Sequence, residues 1–81
     1  MRIVDVPIDK IYVPAGKRKA LDLEKVEELA EDILENGLQK PIYVRLGEGR
    51  YVLQEGVHRV EAMKLLGETL IEGHIVQAKK A

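Results

Sequence analysis

From Ile3 to Pro7 apolar and polar residues alternate and favour an extended backbone, and Lys10 to Val13 resumes that character before Pro14-Ala15-Gly16 interrupts it. Lys17-Arg18-Lys19 are therefore expected in a loop. From Asp22 the period changes, and Val26, Leu29, Ala30, Ile33 and Leu34 recur at helical spacing. Asp22 suits the cap of this helix, Glu24 its first turn, and Asn36-Gly37 its end, with Leu38 placed to pack back on the last turn. A β-rich run from Ile42 to Leu46, opened by Pro41, is joined through Gly47-Glu48-Gly49 to Tyr51–Leu53 as a short-loop hairpin. The second strand leads into Gly56, after which Val60, Met63, Lys64, Leu65 and Leu66 carry a second helical face. Gly67 ends that helix, and Leu70 to Val76 has the length of a closing strand. The order strand, helix, hairpin, helix, strand predicts one small α+β domain over residues 1–81, with a mixed sheet and two main helices.

The two helix starts differ in charge. Asp22 and Glu24 open the first, as the dipole favours, whereas His58 and Arg59 follow Gly56 at the second. A helix N-terminus carries roughly half a positive charge and about four unpaired N–H groups, so a cation there costs about 0.3–1 kcal/mol. Gly56 is also a weak cap, which leaves N–H groups able to meet an anion such as phosphate. Plainer readings stand beside this one: Gly56 as a turn needing glycine's freedom, Arg59 paired with Glu55 or Glu61, and His58 donating to a backbone carbonyl.

Composition narrows the chemistry. With 13 basic and 14 acidic residues and a net charge of -1, the chain has no bulk attraction to nucleic acid. It has no cysteine and no serine, and Thr69 is its lone aliphatic hydroxyl, so covalent catalysis by thiol or hydroxyl is not expected. No apolar run approaches the ~20 residues of a membrane span, and the first residues lack the apolar core of a signal peptide, so a cytoplasmic protein with no membrane partner is expected. Many Glu and Lys with a single asparagine lean towards a heat-adapted source. His58 and His74 have no third ligand at a telling spacing for a metal. Glu24, Glu27, Glu28, Glu31 and Glu35 form a solvated helix face that would repel DNA, and Tyr12, Tyr43 and Tyr51 are core or cross-strand residues, with stacking on a base open to one of them.

Three blocks, in order along nearly the whole chain, resemble the ParB N-terminal and sulfiredoxin-like superfamily. They are Val6-Pro7-Ile8-Asp9-Lys10-Ile11, the stretch from Leu21-Asp22 through Asn36-Gly37 to Pro41-Ile42, and Tyr51 to Ala62 with Gly56-Val57-His58-Arg59 at its centre. The resemblance implies a nucleotide whose phosphates lie at the second helix, held by Gly56, Val57, His58 and Arg59. It also implies that Lys17 or Arg18 approaches the outer phosphates. Members of this group use CTP, ATP or ADP with Mg²⁺, in gating a DNA clamp, repairing an oxidised cysteine, or phosphorylating free serine. Val57 stands where sulfiredoxins carry their catalytic cysteine, so that reductase chemistry is not expected. No stretch matches the helix-turn-helix that follows this domain in ParB proteins, so autonomous recognition of a DNA sequence is not expected either.

Glu55 lies beside the expected phosphate site and could hold Mg²⁺ or orient an attacking hydroxyl or water, or else simply end its strand in solvent. The function expected is nucleotide binding, with hydrolysis or transfer of a phosphoryl group open. The alternative is a non-catalytic regulatory or DNA-partition module acting with a protein partner or DNA. A two-metal nuclease finds no acidic cluster in the sequence.

Overall fold

The computed structural model describes residues 2–77, so positions 1 and 78–81 of the expected domain lie outside the described residues. In chain order the elements are β1 (Arg2–Pro7), a 3₁₀ turn (Ile8–Lys10), β2 (Ile11–Tyr12), α1 (Ala15–Lys19), α2 (Leu23–Asn36), β3 (Ile42–Gly47), β4 (Arg50–Glu55), α3 (Val57–Leu65) and β5 (Leu70–Ile75). The strands form one mixed sheet in the order β1-β5-β3-β4-β2. β1 with β5 and β3 with β4 are antiparallel, while β3 with β5 and β2 with β4 are parallel.

The fold class is as expected, and three local readings need correction. Lys17, Arg18 and Lys19 are helical. Pro14 caps α1 rather than breaking the chain, because its fixed φ of -56° suits a helix start and the missing N–H costs nothing there, and its carbonyl accepts from Lys17 N at 3.0 Å and Arg18 N at 3.2 Å. The strand expected from Lys10 to Val13 shrinks to Ile11–Tyr12. Ile8 donates to the Thr69 carbonyl at 2.9 Å, and the 3₁₀ turn that follows tucks the Ile8 side chain into the core. Finally, Leu34 and Leu65 are 75% and 62% exposed, and Lys64 pairs with Glu61 at 3.1 Å instead of joining an apolar face.

Those exposures follow from where the helices meet. The α2 stripe of Val26, Ala30 and Ile33 packs against the fully buried Ala62 of α3, whose small side chain admits a close approach. Leu34 follows Ile33 of the stripe and so points about 100° away from it, and at the end of α3 it is Met63 and Leu66, not Leu65, that pack on this contact. A second cluster lies between α3 and the sheet, where Val60 meets Val6, Ile42, Val44, Leu53 and Ile71. Asp22 caps α2, accepting from Glu24 N at 3.0 Å, and Leu38 packs against both clusters. The glutamates of α2 are exposed.

The sheet delivers the chain to the second helix start through an irregularity. Val44 pairs with Leu53 but Tyr43 pairs with Glu55, so β4 carries one extra residue, Gln54, at a bulge. The bulge re-aims the last residue of β4 towards Gly56, which takes φ 111° and ψ 30° and caps α3. A Cβ at Gly56 would lie 2.6 Å from Ile42 Cγ2, so sterics as well as backbone conformation demand glycine.

Gly56→Ala should therefore cost about 2–4 kcal/mol, the sum of left-handed strain and overpacking. Gly67→Ala, with φ 78° but nothing within 4 Å of its Cβ, should cost about 1–2 kcal/mol. Urea denaturation of the two variants measures the difference, and equal losses would show that the Ile42 contact carries no weight.

Candidate functional site

Gly56 has no side chain to cap α3, so no side-chain acceptor meets the N–H groups of its first turn. A cleft of about 330 Å³ opens there, lined by Lys17, Ala20, Leu29, Glu55, Gly56, Val57, His58 and Arg59. It brings one residue of α1, the wall of α2 and the end of β4 to the start of α3. Lys17 is thus placed with the glycine run, whereas Arg18 does not line the cleft. Successive helical residues point about 100° apart, and α1 turns Arg18 away when Lys17 faces in.

His58 and Arg59 of α3 each hold a backbone group from another element. His58 Nε2 accepts the Asp22 N–H at 3.0 Å, tying the start of α3 to the cap of α2. A nitrogen that accepts is unprotonated, so in the neutral ring the proton sits on Nδ1, which is then a donor. Arg59 Nη1 donates to the Pro41 carbonyl at 2.6 Å, fixing the residue that precedes β3. Neither partner was among the sequence-based alternatives: Arg59 pairs with no glutamate, and His58 accepts from the backbone where donation to a carbonyl was considered. A guanidinium carries five N–H donors in a fork, so the bond to Pro41 uses one nitrogen and leaves further donors on a group that lines the cleft.

The cleft is cationic and rich in donors. Lys17, Arg59 and the N-terminus of α3 contribute positive charge or partial charge, His58 adds a ring N–H donor, and Glu55 is the one acidic residue in its lining. Among the described residues no group of three His, Cys, Asp or Glu side chains gathers to hold a metal ion. A single carboxylate suits Mg²⁺ arriving with phosphates, since that ion keeps water and phosphate oxygens and takes one or two protein carboxylates. His74 does not line the cleft and is tilted against Tyr43 with ring centroids 5.1 Å apart. None of the three tyrosines lines the cleft: Tyr12 lies under the Arg50 guanidinium at 4.0 Å, and Tyr51 packs on the core.

Ala20 and Leu29 as walls, and Asp22 and Pro41 as backbone partners, were not legible in the sequence. The first two carry no chemistry of their own, and the other two act through main-chain atoms that any residue possesses.

Because Arg59 and His58 also hold the scaffold, their loss should be felt without any ligand. Arg59→Ala should lower stability by about 1.5–3 kcal/mol and His58→Ala by about 0.5–1.5 kcal/mol, read by chemical denaturation. Unchanged stability in both variants would mean that the two bonds do not brace the cleft.

Comparison with known proteins agrees with the geometry in fold. The sulfiredoxin of Arabidopsis thaliana is 38% identical over 78 residues, 96% of this chain and 62% of that protein. Its crystal structure superposes with a TM-score of 0.85 at 37% identity, covering 96% of this chain and 88% of the other. A probable chromosome-partitioning protein ParB of Helicobacter pylori is 35% identical over 80 residues, 98% of this chain but 28% of its own length. The chain therefore spans less than two thirds of either curated relative. The C-terminally truncated ParB of Caulobacter crescentus, solved in complex with CTP-gamma-S, superposes with a TM-score of 0.84 over 99% of this chain and 47% of that one, and at 24% identity this likeness speaks for the fold. A model of the ParB N-terminal domain matches residues 1–81, end to end, and on that ground the chain belongs to the ParB N-terminal domain family.

Proposed function

We propose that the cleft at the start of α3 binds the phosphates of a nucleotide. The observation that carries this reading is the convergence of an uncapped helix N-terminus with Lys17, His58 and Arg59 around one opening. Backbone N–H groups of Val57, His58 and Arg59 would donate to phosphate oxygens directly, His58 would donate through Nδ1, and Lys17 would reach the outer phosphate from α1. Support from the fold is independent of that geometry, since a ParB protein with the same architecture was solved with a CTP analogue.

Glu55 is the residue to hold Mg²⁺ at the phosphates. When bound, the ion supplies neutralisation of phosphate charge. The chain's own part is positioning: the N–H cradle fixes the phosphate, and Glu55 ends the bulged strand beside it. Such a site can bind and release a nucleotide as a switch, or orient water or an acceptor hydroxyl for phosphoryl transfer, a reaction that asks for placement and charge more than for a protein nucleophile. Thiol chemistry of the sulfiredoxin kind is not proposed, because Val57 stands at the cysteine position.

His58 also gives the switch reading a physical route. A phosphate on the Nδ1 side of the ring would pull on a side chain whose other nitrogen holds Asp22, and so on the junction of α1 and α2. Occupancy would then be felt by a protein partner or DNA at that junction.

Calorimetric titration with ATP, ADP, CTP and GTP, with and without Mg²⁺, tests the site. Lys17→Ala is the informative variant, since the half-buried Lys17 side chain makes no hydrogen bond or ion pair to another element among the described residues. At least one nucleotide should bind, and Lys17→Ala should weaken it roughly tenfold to a hundredfold, the worth of one charged hydrogen bond. Glu55→Gln should remove the Mg²⁺ dependence, and phosphate release measured on the same protein divides an enzyme from a switch. If no nucleotide binds, or Lys17→Ala binds equally well, the assignment is wrong.

A further inference from the structure

The two edges of the sheet are finished differently. At one edge β2 is two residues long, and Pro14 and α1 follow it closely. At the other, β1 runs for six residues, from Arg2 to Pro7, and β5 is its one strand partner. Apart from that ladder, no backbone hydrogen bond reaches residues 2–6 among the described residues. A long unpaired edge is a template for another strand.

Two bonds fix which way β1 presents its backbone. Thr69, just before β5, accepts from Ile8, and Val76, just after it, donates to Val44 of β3. Alternate residues of a strand address opposite neighbours, so the odd positions of β5 serve β1 and the even ones serve β3. With Ile3 opposite His74 and Asp5 opposite Glu72, it is Arg2, Val4 and Val6 that bond to β5. The N–H and C=O groups of Ile3 and Asp5 therefore point outward. Pro7 agrees with this phase, since a residue without N–H belongs where no strand partner needs one, and the 3₁₀ turn then ends the edge.

The chemistry beside the edge is acidic. Asp5 stands directly opposite Glu72, both exposed, and like charges so placed repel. Where β1 ends, a cavity of about 450 Å³, lined in part by Pro7, Asp9, Glu68 and Leu70, adds two more exposed carboxylates. None of these four acids forms an ion pair among the described residues, and Lys64 in the same lining is taken by Glu61. Ile3 is 57% exposed, and the half-buried Val4 packs on the core.

We propose that β1 accepts, as a sixth strand of the five-stranded sheet, an extended segment of a partner protein in which basic residues alternate with apolar ones. Its basic side chains lie over Asp5 and Glu72, on the face that carries Ile3, and its apolar ones beside Val4 and Val6 at the margin of the core. Main-chain bonds hold such a segment, and the carboxylates select it. A second β1 is a poor occupant, because it brings another Asp5 to the acidic strip. No residue of β1 lines the cleft at α3, and β5 and β3 stand between β1 and β4, so this docking is tested apart from nucleotide binding.

The probe is the acetylated, amidated peptide Thr-Val-Lys-Val-Lys-Val-Thr, followed by amide NMR and hydrogen exchange. In the protein alone, the amides of Val4 and Val6 should exchange slowly and those of Ile3 and Asp5 fast. The peptide should shift Ile3 and Asp5 to saturation and protect them. Replacing its lysines by glutamate should weaken binding roughly tenfold or more, and Asp5→Lys should reverse that preference. Methylating the backbone nitrogens of one alternate set of peptide residues should abolish binding while the other set is tolerated, because one edge of the peptide faces β1. A lysine peptide that leaves Ile3 and Asp5 unmoved, or that binds with either set methylated, would overturn the proposal. So would Ile3 and Asp5 amides already protected in the protein alone, since another copy would then fill the edge.

Discussion

At Gly56 the chain leaves β4 with φ 111° and enters α3 so close to β3 that a methyl group would lie 2.6 Å from Ile42 Cγ2. Everything at the cleft depends on that approach. It forces glycine, and glycine brings no side chain to cap the helix, so the N–H groups of the first turn stay without a side-chain acceptor. The same approach puts Arg59 within reach of the Pro41 carbonyl, one residue before Ile42. A packing constraint in the core thus creates a cationic, donor-rich opening at the surface.

The opening is braced from outside. Arg59 ties α3 to the entry of β3, and His58 ties it to the cap of α2, while α1 brings Lys17 to the rim. Residues that read as misplaced charges against the helix dipole therefore have structural employment as well. This changes how their loss must be interpreted. A weaker ligand affinity in Arg59→Ala would mix scaffold and contact, which is why Lys17, bonded to no other element among the described residues, is the cleaner probe of binding.

The parts of the fold that follow from periodicity were legible in the sequence. Val26, Ala30 and Ile33 marked the α2 stripe, Asp22 and Gly37 marked its ends, and the hairpin around Gly49 was read from its turn residues. What was not legible had competing local signals. Pro14 reads equally as a breaker and as a helix start, and in the structure its carbonyl accepts the first backbone bonds of α1. Leu34 and Leu65 fit a helical spacing, yet each helix buries a narrow stripe set by the small Ala62 at the crossing. Within the site, Gly56 to Arg59 could be picked out by charge against dipole, and the resemblance gave them a ligand class. Their bonds to Asp22 and Pro41 could not be foreseen, because main-chain atoms leave no trace in composition.

In the proposed function the first-turn amides of α3 receive phosphate. Amide chemical shifts followed by NMR during titration with ATP and Mg²⁺, or with pyrophosphate alone, test it at the atoms concerned. The amides of Val57, His58 and Arg59 should move together and saturate, with Asp22 following through His58, while Glu72 and Arg45 on the far face of the sheet stay still. A titration that leaves Val57 to Arg59 unmoved while other amides respond would contradict it.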